Sequence, residues 1–286
     1  MDKKDKIDLI SIKGKKYNIV NNCRCFIEPG KRESSSTGRG MLAYIQRKLK
    51  KTGPLYYRLL TILGPVRASH SYKKRLSQLL ERYNGASTII LNIGSGPQHL
   101  QGKRDIINVD LFPFDEVDIV ADASDLPIKN NSVDFIINVA MLEHTPVPET
   151  IVDEIERILK PGGAIFAYLP FIVPYHAAPN DFHRWTKNGA AELFAKFDST
   201  LSTVGCGPTS GLLYVLQSWL AMFLSLGNKT IYDALFLVFL ITLFPVKYLD
   251  IILERFSFSE IIASGFVVTA TKKRTSNRTH PDRKTR

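Results

Sequence analysis

Two groups of residues in this chain have types and spacings that suit chemistry. The first begins at residues 88–100, Thr-Ile-Ile-Leu-Asn-Ile-Gly-Ser-Gly-Pro-Gln-His-Leu. Gly94 and Gly96 directly follow a short apolar run rich in β-branched residues. A backbone without Cβ turns sharply and lets a ligand lie against it. A second apolar run follows and carries Asp110 near its end. Strand, Gly-x-Gly turn and a second strand ending in an acid form the opening of a nucleotide-binding α/β unit. A dinucleotide fingerprint would place a third glycine at 99, where His99 stands, and this counts against NAD. The second group is Glu143-His144 together with residues 174–186, Pro-Tyr-His-Ala-Ala-Pro-Asn-Asp-Phe-His-Arg-Trp-Thr. Glu143, His144, His176, Asp181 and His183 are candidate proton acceptors, and His suits proton transfer near neutral pH. Arg184 either takes part in the same site or pairs with Asp181 to hold the loop. No paired metal-ligand motif is present, and no metal is expected.

The elements that must position these residues are readable from periodicity. Residues 89–93, 106–111, 118–121, 133–139 and 164–169 read as strands, the first suited to burial on both faces of a parallel sheet. Residues 148–160 read as a helix. Ile151, Val152, Ile155, Ile158 and Leu159 share one face, while Glu149, Asp153, Glu154 and Glu156 take the other, with the early acids at the positive end of the helix dipole. Pro161-Gly162-Gly163 stops it. Strands alternating with helices imply a parallel sheet with right-handed crossovers. Residues 265–271 read as a last strand. Residues 41–83 read as helical pieces broken near Gly53-Pro54 and Gly64-Pro65. Leu42, Ile45 and Leu49 there recur at helical spacing beside Arg47, Lys48, Lys50 and Lys51. Such a helix either packs on the domain with a solvated basic side or lies on a membrane. Residues 199–228 carry no charge. The apolar runs 212–226 and 234–246 both fall short of the ~20 residues of a membrane span, so a buried or membrane-resting helical pair is expected.

Four blocks in order give the chain a family resemblance. Leu-Asn-Ile-Gly-Ser-Gly at 91–96, Asn-Val-Asp-Leu at 108–111, Asp-Ala-Ser-Asp-Leu-Pro-Ile at 122–128, and residues 133–163 with Leu142-Glu143-His144 and Lys160-Pro161-Gly162-Gly163 resemble the class I S-adenosylmethionine-dependent methyltransferases. The resemblance is to the type 11-like version and covers the middle third of the chain. It implies a Rossmann-like, doubly wound α/β fold with a seven-stranded sheet whose last strand is antiparallel. It also implies S-adenosyl-L-methionine as cofactor, held by Asn92, Gly94, Ser95, Gly96, Asp110, Leu111, Asp122, Ala123 and Ala140. Asp110 would accept from the ribose hydroxyls, and Asp122 with Ala123 would meet the adenine. Catalytic roles would fall to Glu143, His144, His176 and His183. One departure is the short stretch 97–105 between Gly96 and the second strand, which leaves room only for a very short first crossover helix. Residues 17–27 resemble the end of the small zinc-ribbon-like domain that precedes some methyltransferases, without its cysteine pairs. No Asn-Pro-Pro-Tyr-type sequence follows the fourth strand, which speaks against amino methylation of DNA bases in that style.

Composition bounds the rest. The 286 residues are 44% hydrophobic, enough for one large domain with extensions. The net charge of +11 is unevenly placed, at +14 over residues 1–86, −8 over 87–200 and +5 over 201–286. Three cysteines, without a Cys-x-x-Cys pair, suit a reducing compartment. No signal peptide is read at the start, so the expected location is cytoplasmic, with the membrane's cytoplasmic face as a variant of it. The expected organisation is an N-terminal extension at 1–40, a basic helical segment at 41–69, a methyltransferase domain at 70–271 with an apolar helical insertion at 211–253, and a basic tail at 272–286. The expected function is methyl transfer, most simply to oxygen, on a small-molecule, glycan or lipid-linked acceptor. Two alternatives stay open: a non-catalytic cofactor- or partner-binding protein on the same scaffold, and an RNA methyltransferase gripping phosphates with its basic N-terminal region.

Overall fold

The computed structural model describes residues 1–11, 16–20, 23–27, 54–96, 105–177 and 179–274. Nine strands among them share one sheet. In chain order they are β1 (Asn18–Val20), β2 (Cys23–Cys25), β3 (Ile90–Ile93), β4 (Ile106–Asp110), β5 (Ile119–Val120), β6 (Val133–Val139), β7 (Leu159–Pro170), β8 (Asp198–Cys206) and β9 (Gly265–Thr271). Side by side they run β1-β2-β5-β4-β3-β6-β7-β9-β8. β3 pairs in parallel with β4 on one side and β6 on the other. The parallel ladder continues to β5 and β7, and β9 runs antiparallel to both β7 and β8. Strands β5 to β8 in that spatial order make the expected doubly wound sheet of seven with its last strand reversed. The hairpin β1–β2 adds two more at the outer edge, β2 lying parallel to β5.

Side chains alternate across β3 and divide the core in two. Leu91 and Ile93 point into one layer with Ile107 and Val109 of β4, covered by Ile151, Ile155 and Ile158. Those last three lie on α4 (Pro148–Ile158), which follows α1 (Lys3–Ile10), α2 (Pro54–Leu63) and α3 (His70–Arg82). Ile90 points into the other layer with Ile106, Phe135 and Phe166, against Leu76, Leu79 and Leu80 of α3. Period-2 alternation with apolar residues on both faces is what a sheet covered on both sides demands.

Several boundaries differ from the sequence reading. Helix α4 stops at Ile158, and Leu159 and Lys160 already belong to β7. There Lys160 Nζ reaches both oxygens of Asp134 at 2.8 and 2.9 Å, and a register shift beside Val133 absorbs the Pro-Gly-Gly stretch. Strand β8 was not read from sequence, because Ser and Thr fill its centre and its burial follows no two-residue period. Cys23 and Cys25 are buried beside Val117 and Val120, beneath the N-terminal hairpin. The expected linker 28–40, the helix over 41–53 with its basic residues, the short crossover with His99 and the tail from 275 onward lie outside the described residues.

After α5 (Lys187–Glu192) and β8 comes a helical hairpin, α6 (Pro208–Ser225) and α7 (Lys229–Leu243). It turns at Leu226 and Gly227, both with positive φ, and is followed by 3-10 turns and the short α8 (Asp250–Leu253). Two buried charges pin the hairpin to the domain. Asp250 accepts from Thr209 N (2.7 Å), Ser210 N (2.9 Å) and Ser210 Oγ (2.7 Å) at the start of α6, where the helix dipole favours an anion. Lys247 Nζ donates to the carbonyls of Thr61, Ile62 and Gly64 at 2.7–2.9 Å, closing the end of α2.

Candidate functional site

The order of the sheet reverses between β3 and β6, and ligands of open α/β sheets sit at the carboxyl ends of the strands flanking such a point. At that edge the chain leaves β3 through Gly94 (φ 72°) and Gly96 (φ 58°). The turn is tied to β4: Gly94 N and Ser95 N donate to Val109 O at 2.8 and 3.2 Å, and Gly96 N donates to Asp110 Oδ2 at 2.7 Å. A Cβ on Gly94 would lie 2.6 Å from Met141 Cβ, so the glycine lets β6's exit loop close over the turn. Among the described residues, a Cβ on Gly96 would meet nothing within 4 Å.

Asp110 Oδ1 also accepts from Phe112 N at 3.0 Å. A carboxylate offers about four acceptor positions, so acceptor capacity remains after these bonds. Burial raises the pKa of Asp110, and the N–H groups of Phe112, Gly96 and Leu111 pull it back down. Ala140, the residue after β6, has φ 51°. A non-glycine residue in that region is strained, and such strain collects at functional sites. It is held there by its N–H on Tyr168 O at 3.0 Å. Asp122 lies two residues past the Asp110–Val120 rung, exposed, with Oδ1 accepting from Ser124 N and Oγ. Ala123 packs beside it on the core, and Leu111 is exposed at the rim. The glycine turn, Asp110, Asp122 and Ala140 thus share one edge. Asn92 is placed differently: its side chain is buried and donates to Asn108 Oδ1 at 3.1 Å, bracing β3 against β4. Asn138 was not singled out from sequence. It is fully buried, donates to Ile93 O at 3.0 Å, and leaves its own Oδ1 without a partner beneath the same edge. The signal for it was one amide after the apolar run Phe135–Ile137.

The second group converges four residues further on. Glu143 lies in a 3-10 turn (Leu142–His144) and is 0% exposed. Its carboxylate faces His176 Nε2 at 3.7 Å and His144 Nε2 at 3.9 Å. The imidazole rings stand at 88° with centroids 5.3 Å apart. His144 Nδ1 lies 2.5 Å from Asn180 O, and His176 Nδ1 lies 3.0 Å from Pro174 O. A carbonyl only accepts, so each Nδ1 carries its proton. Arg184 Nη2 also lies 3.3 Å from His176 Nδ1. Its protons are taken instead by Asp181 Oδ2 at 2.6 Å and Pro174 O at 3.0 Å. The Glu143 carboxylate raises the pKa of His176, while burial opposes it. The loop is fastened by Arg184, which forks onto both oxygens of Asp181 at 2.5 and 2.6 Å, and by Asp181 Oδ2 accepting His176 N at 2.8 Å. Phe182 N on Glu143 O, at 2.7 Å, ties this loop to the 3-10 turn. His183 stands apart, with Nε2 3.3 Å from Pro146 O and its ring against Trp185. A separate hollow of about 580 Å³ lies at the amino end of β3, among Ile10, Ile89, Lys129 and Lys160. It is on the opposite edge of the sheet from all of these groups.

Residues 91–167 match the sequence model of a family described as a methyltransferase domain. That stretch runs from β3 into β7 and includes the glycine turn, Asp110, Asp122, Ala140, Glu143 and His144. No protein among the curated sequences compared matches the chain. Among solved structures it is similar to phosphoethanolamine N-methyltransferase 2 of Haemonchus contortus, in complex with phosphomonomethylethanolamine and S-adenosylhomocysteine. The identity is 16% and the TM-score 0.42, over 71% of this chain and 53% of that one. The chain thus spans about half the length of that enzyme. It is also similar to a Thermotoga maritima S-adenosylmethionine-dependent methyltransferase described as a possible histamine N-methyltransferase (15% identity, TM-score 0.44, 82% of this chain and 100% of that one). A third likeness is to 1,6-didemethyltoxoflavin-N1-methyltransferase of Burkholderia thailandensis (14% identity, TM-score 0.42, 81% of this chain and 88% of that one).

Proposed function

We propose, with a methyltransferase domain at residues 91–167 as the premise, that this chain transfers a methyl group from S-adenosylmethionine to an acceptor bound at the carboxyl edge of the sheet. The observation that carries the reading is the positive-φ turn at Gly94 and Gly96, hydrogen-bonded to a half-buried strand-end carboxylate with acceptor capacity to spare. A nucleoside with two vicinal hydroxyls fits those groups. Asp110 would accept from the ribose, Asp122 with Ala123 would meet the adenine amine and ring, and Gly94, Ser95 and Gly96 would border the amino-acid portion. Leu111 would cover the rim, and Asn92 would act by bracing β3. When bound, the cofactor supplies a methyl group on a positively charged sulfur. The chain's own task is then to align the acceptor and hold its proton. Glu143, His144 and His176 stand past Ala140, on the acceptor side. His183 would contribute through the loop.

We read the acceptor as an oxygen nucleophile on a small, glycan or lipid-linked molecule, met at a membrane surface. Support for the surface comes from the hairpin. Trp219 is 55% exposed, Phe223 63% and Leu226 92%, with Met222, Val238 and Ile241 also bare. A monomer seldom shows so continuous an apolar face to water. The stretch Lys229–Leu253 is long and apolar enough to cross a membrane by length and composition, and is mostly uncovered by protein. It is not a straight rod, however. Helix α7 has 15 residues, about 22 Å at 1.5 Å per residue, short of a ~30 Å hydrocarbon core. Lys247 and Asp250 beyond it are fixed into the domain. A hairpin resting in the interface fits these facts better than a span.

The test is titration of the purified protein with S-adenosylmethionine and with NAD in parallel. Saturable binding of the first alone, lost in Asp110→Ala, is expected. Equal binding of both, or of neither, would remove the reading.

A further inference from the structure

We infer that Glu143, His144 and His176 form a binding site for one divalent transition-metal cation of the zinc and cobalt type. One carboxylate oxygen and two imidazole Nε2 atoms lie within 4.8 Å of one another. Each imidazole holds its other nitrogen on a backbone carbonyl, the outer-shell arrangement that fixes the tautomer and turns the Nε2 lone pair inward. Two lone pairs and a carboxylate aimed at one point are a ligand set, because nothing but a cation or a proton satisfies all three together.

The separations favour the cation. Both Glu143 oxygens are fully buried and have no hydrogen-bond partner. The imidazoles face the carboxylate at 3.7 and 3.9 Å, beyond the ~2.7–3.2 Å of a proper hydrogen bond. Ligands at ~2.0–2.1 Å from a tetrahedral ion lie about 3.3 Å apart. The two carboxylate–imidazole separations need to contract by about half an ångström, and no pair of ligand atoms, all within 4.8 Å, by more than about 1.5 Å to hold one. A pure proton-holding pair would need one imidazole, and a buried carboxylate without a hydrogen bond is costly to keep. Imidazole with carboxylate selects zinc-like ions over Mg²⁺ or Ca²⁺, which prefer oxygen alone. Three protein ligands leave a fourth position open toward the acceptor side. The sequence did not announce the site, because His176 follows Glu143 and His144 only after β7 has crossed the sheet. A cation there would lower the pKa of an acceptor hydroxyl or a bound water. That consequence rests on the methyl-transfer reading, whereas the binding itself does not.

The experiment uses the full chain, stripped with a chelator and titrated with Co²⁺ while its visible absorption is followed. The expected result is one equivalent bound, with ligand-field bands that Zn²⁺ displaces. Affinity should fall at least about 100-fold in His176→Ala and Glu143→Gln, since even outer-shell losses cost 10–100-fold. Should Glu143→Gln fail to fold by circular dichroism, His176→Ala and His144→Ala, whose side chains are partly exposed, carry the comparison. No stoichiometric Co²⁺ or Zn²⁺ binding by the folded wild type, or wild-type affinity in both histidine variants, overturns the site. S-adenosylmethionine binding measured on the same samples separates the two claims. Cofactor binding without Co²⁺ binding removes the metal site alone, and the reverse removes the transferase reading alone.

Discussion

At Asp110 folding and ligand binding make opposite demands. Burial raises its pKa. An acid whose folded pKa lies above the unfolded one contributes stability below the unfolded value, and that contribution is lost as pH rises through the folded value. The ionised form at neutral pH is therefore a cost to the empty protein, one that the proposed ribose contact would offset. Asp110→Asn turns one accepting oxygen into a donor that faces a backbone N–H, which outweighs relief of the buried charge, so the variant is expected to melt below the wild type at neutral pH, with the gap widening as pH falls and the wild-type carboxyl takes up its proton. Its cofactor affinity should drop about tenfold or more, the loss of charge-assisted hydrogen bonds. Calorimetry and ligand titration on one preparation check both halves, and an unchanged melting temperature with unchanged affinity would contradict them. The two glycines separate in a similar way. Gly96→Ala places a methyl group at positive φ with no described atom within 4 Å, so it should cost about 1 kcal/mol of stability and weaken binding. Gly94→Ala drives into Met141 and should cost 2–3 kcal/mol, as overpacking does. Thermal melts of the pair give the order. The glycines and Asp110 were legible in the sequence because they are neighbours of strand ends, a local property. Asn138 was not, since one amide in a strand says nothing of what lies above it.

Among the elements, the hairpin α6–α7 depends on two charges that look unremarkable in sequence. Asp250 is fully buried at the start of α6 and takes three hydrogen bonds there. Removing it leaves two backbone N–H groups and a hydroxyl unsatisfied. Asp250→Ala should therefore destabilise the chain by about 3 kcal/mol, the cost of a lost cap plus buried unmet donors. Denaturant unfolding would show it, and a loss under about 0.5 kcal/mol would refute the assigned role, because surface changes stay within that range. Central strands and α4 were readable because burial on one or two faces imposes a period. The edge strand β8 was not, since its run of Ser and Thr carries no apolar period. The hairpin β1–β2 extends the sheet through pairing with β5, a partner about a hundred residues away that no local pattern names.

At the scale of the whole molecule, charge and apolar surface are segregated. The segment 87–200, which builds most of the site, is acidic, while both flanks are basic, and the bare hairpin face lies on the C-terminal flank. A peripheral protein with these features binds anionic bilayers by apolar burial reinforced by charge. Flotation with vesicles containing anionic lipid should recover the wild type. Replacing Trp219 and Phe223 together by Ser should release it while leaving cofactor binding intact, since both side chains are exposed. Recovery wholly outside the lipid fraction at low salt would end the membrane reading.

Periodicity and the types of residue at strand ends were enough to place the central strands, the glycine turn and its carboxylate, because each is set by neighbours within a few positions. Tertiary packing settled where Glu143, His144 and His176 meet, which amide lies under the site, how an N-terminal hairpin joins the sheet, and which buried charges hold the apolar helices. These depend on segments brought together across tens to hundreds of residues, and contact at that range follows from the folded arrangement of strands and loops rather than from the order of residues along the chain.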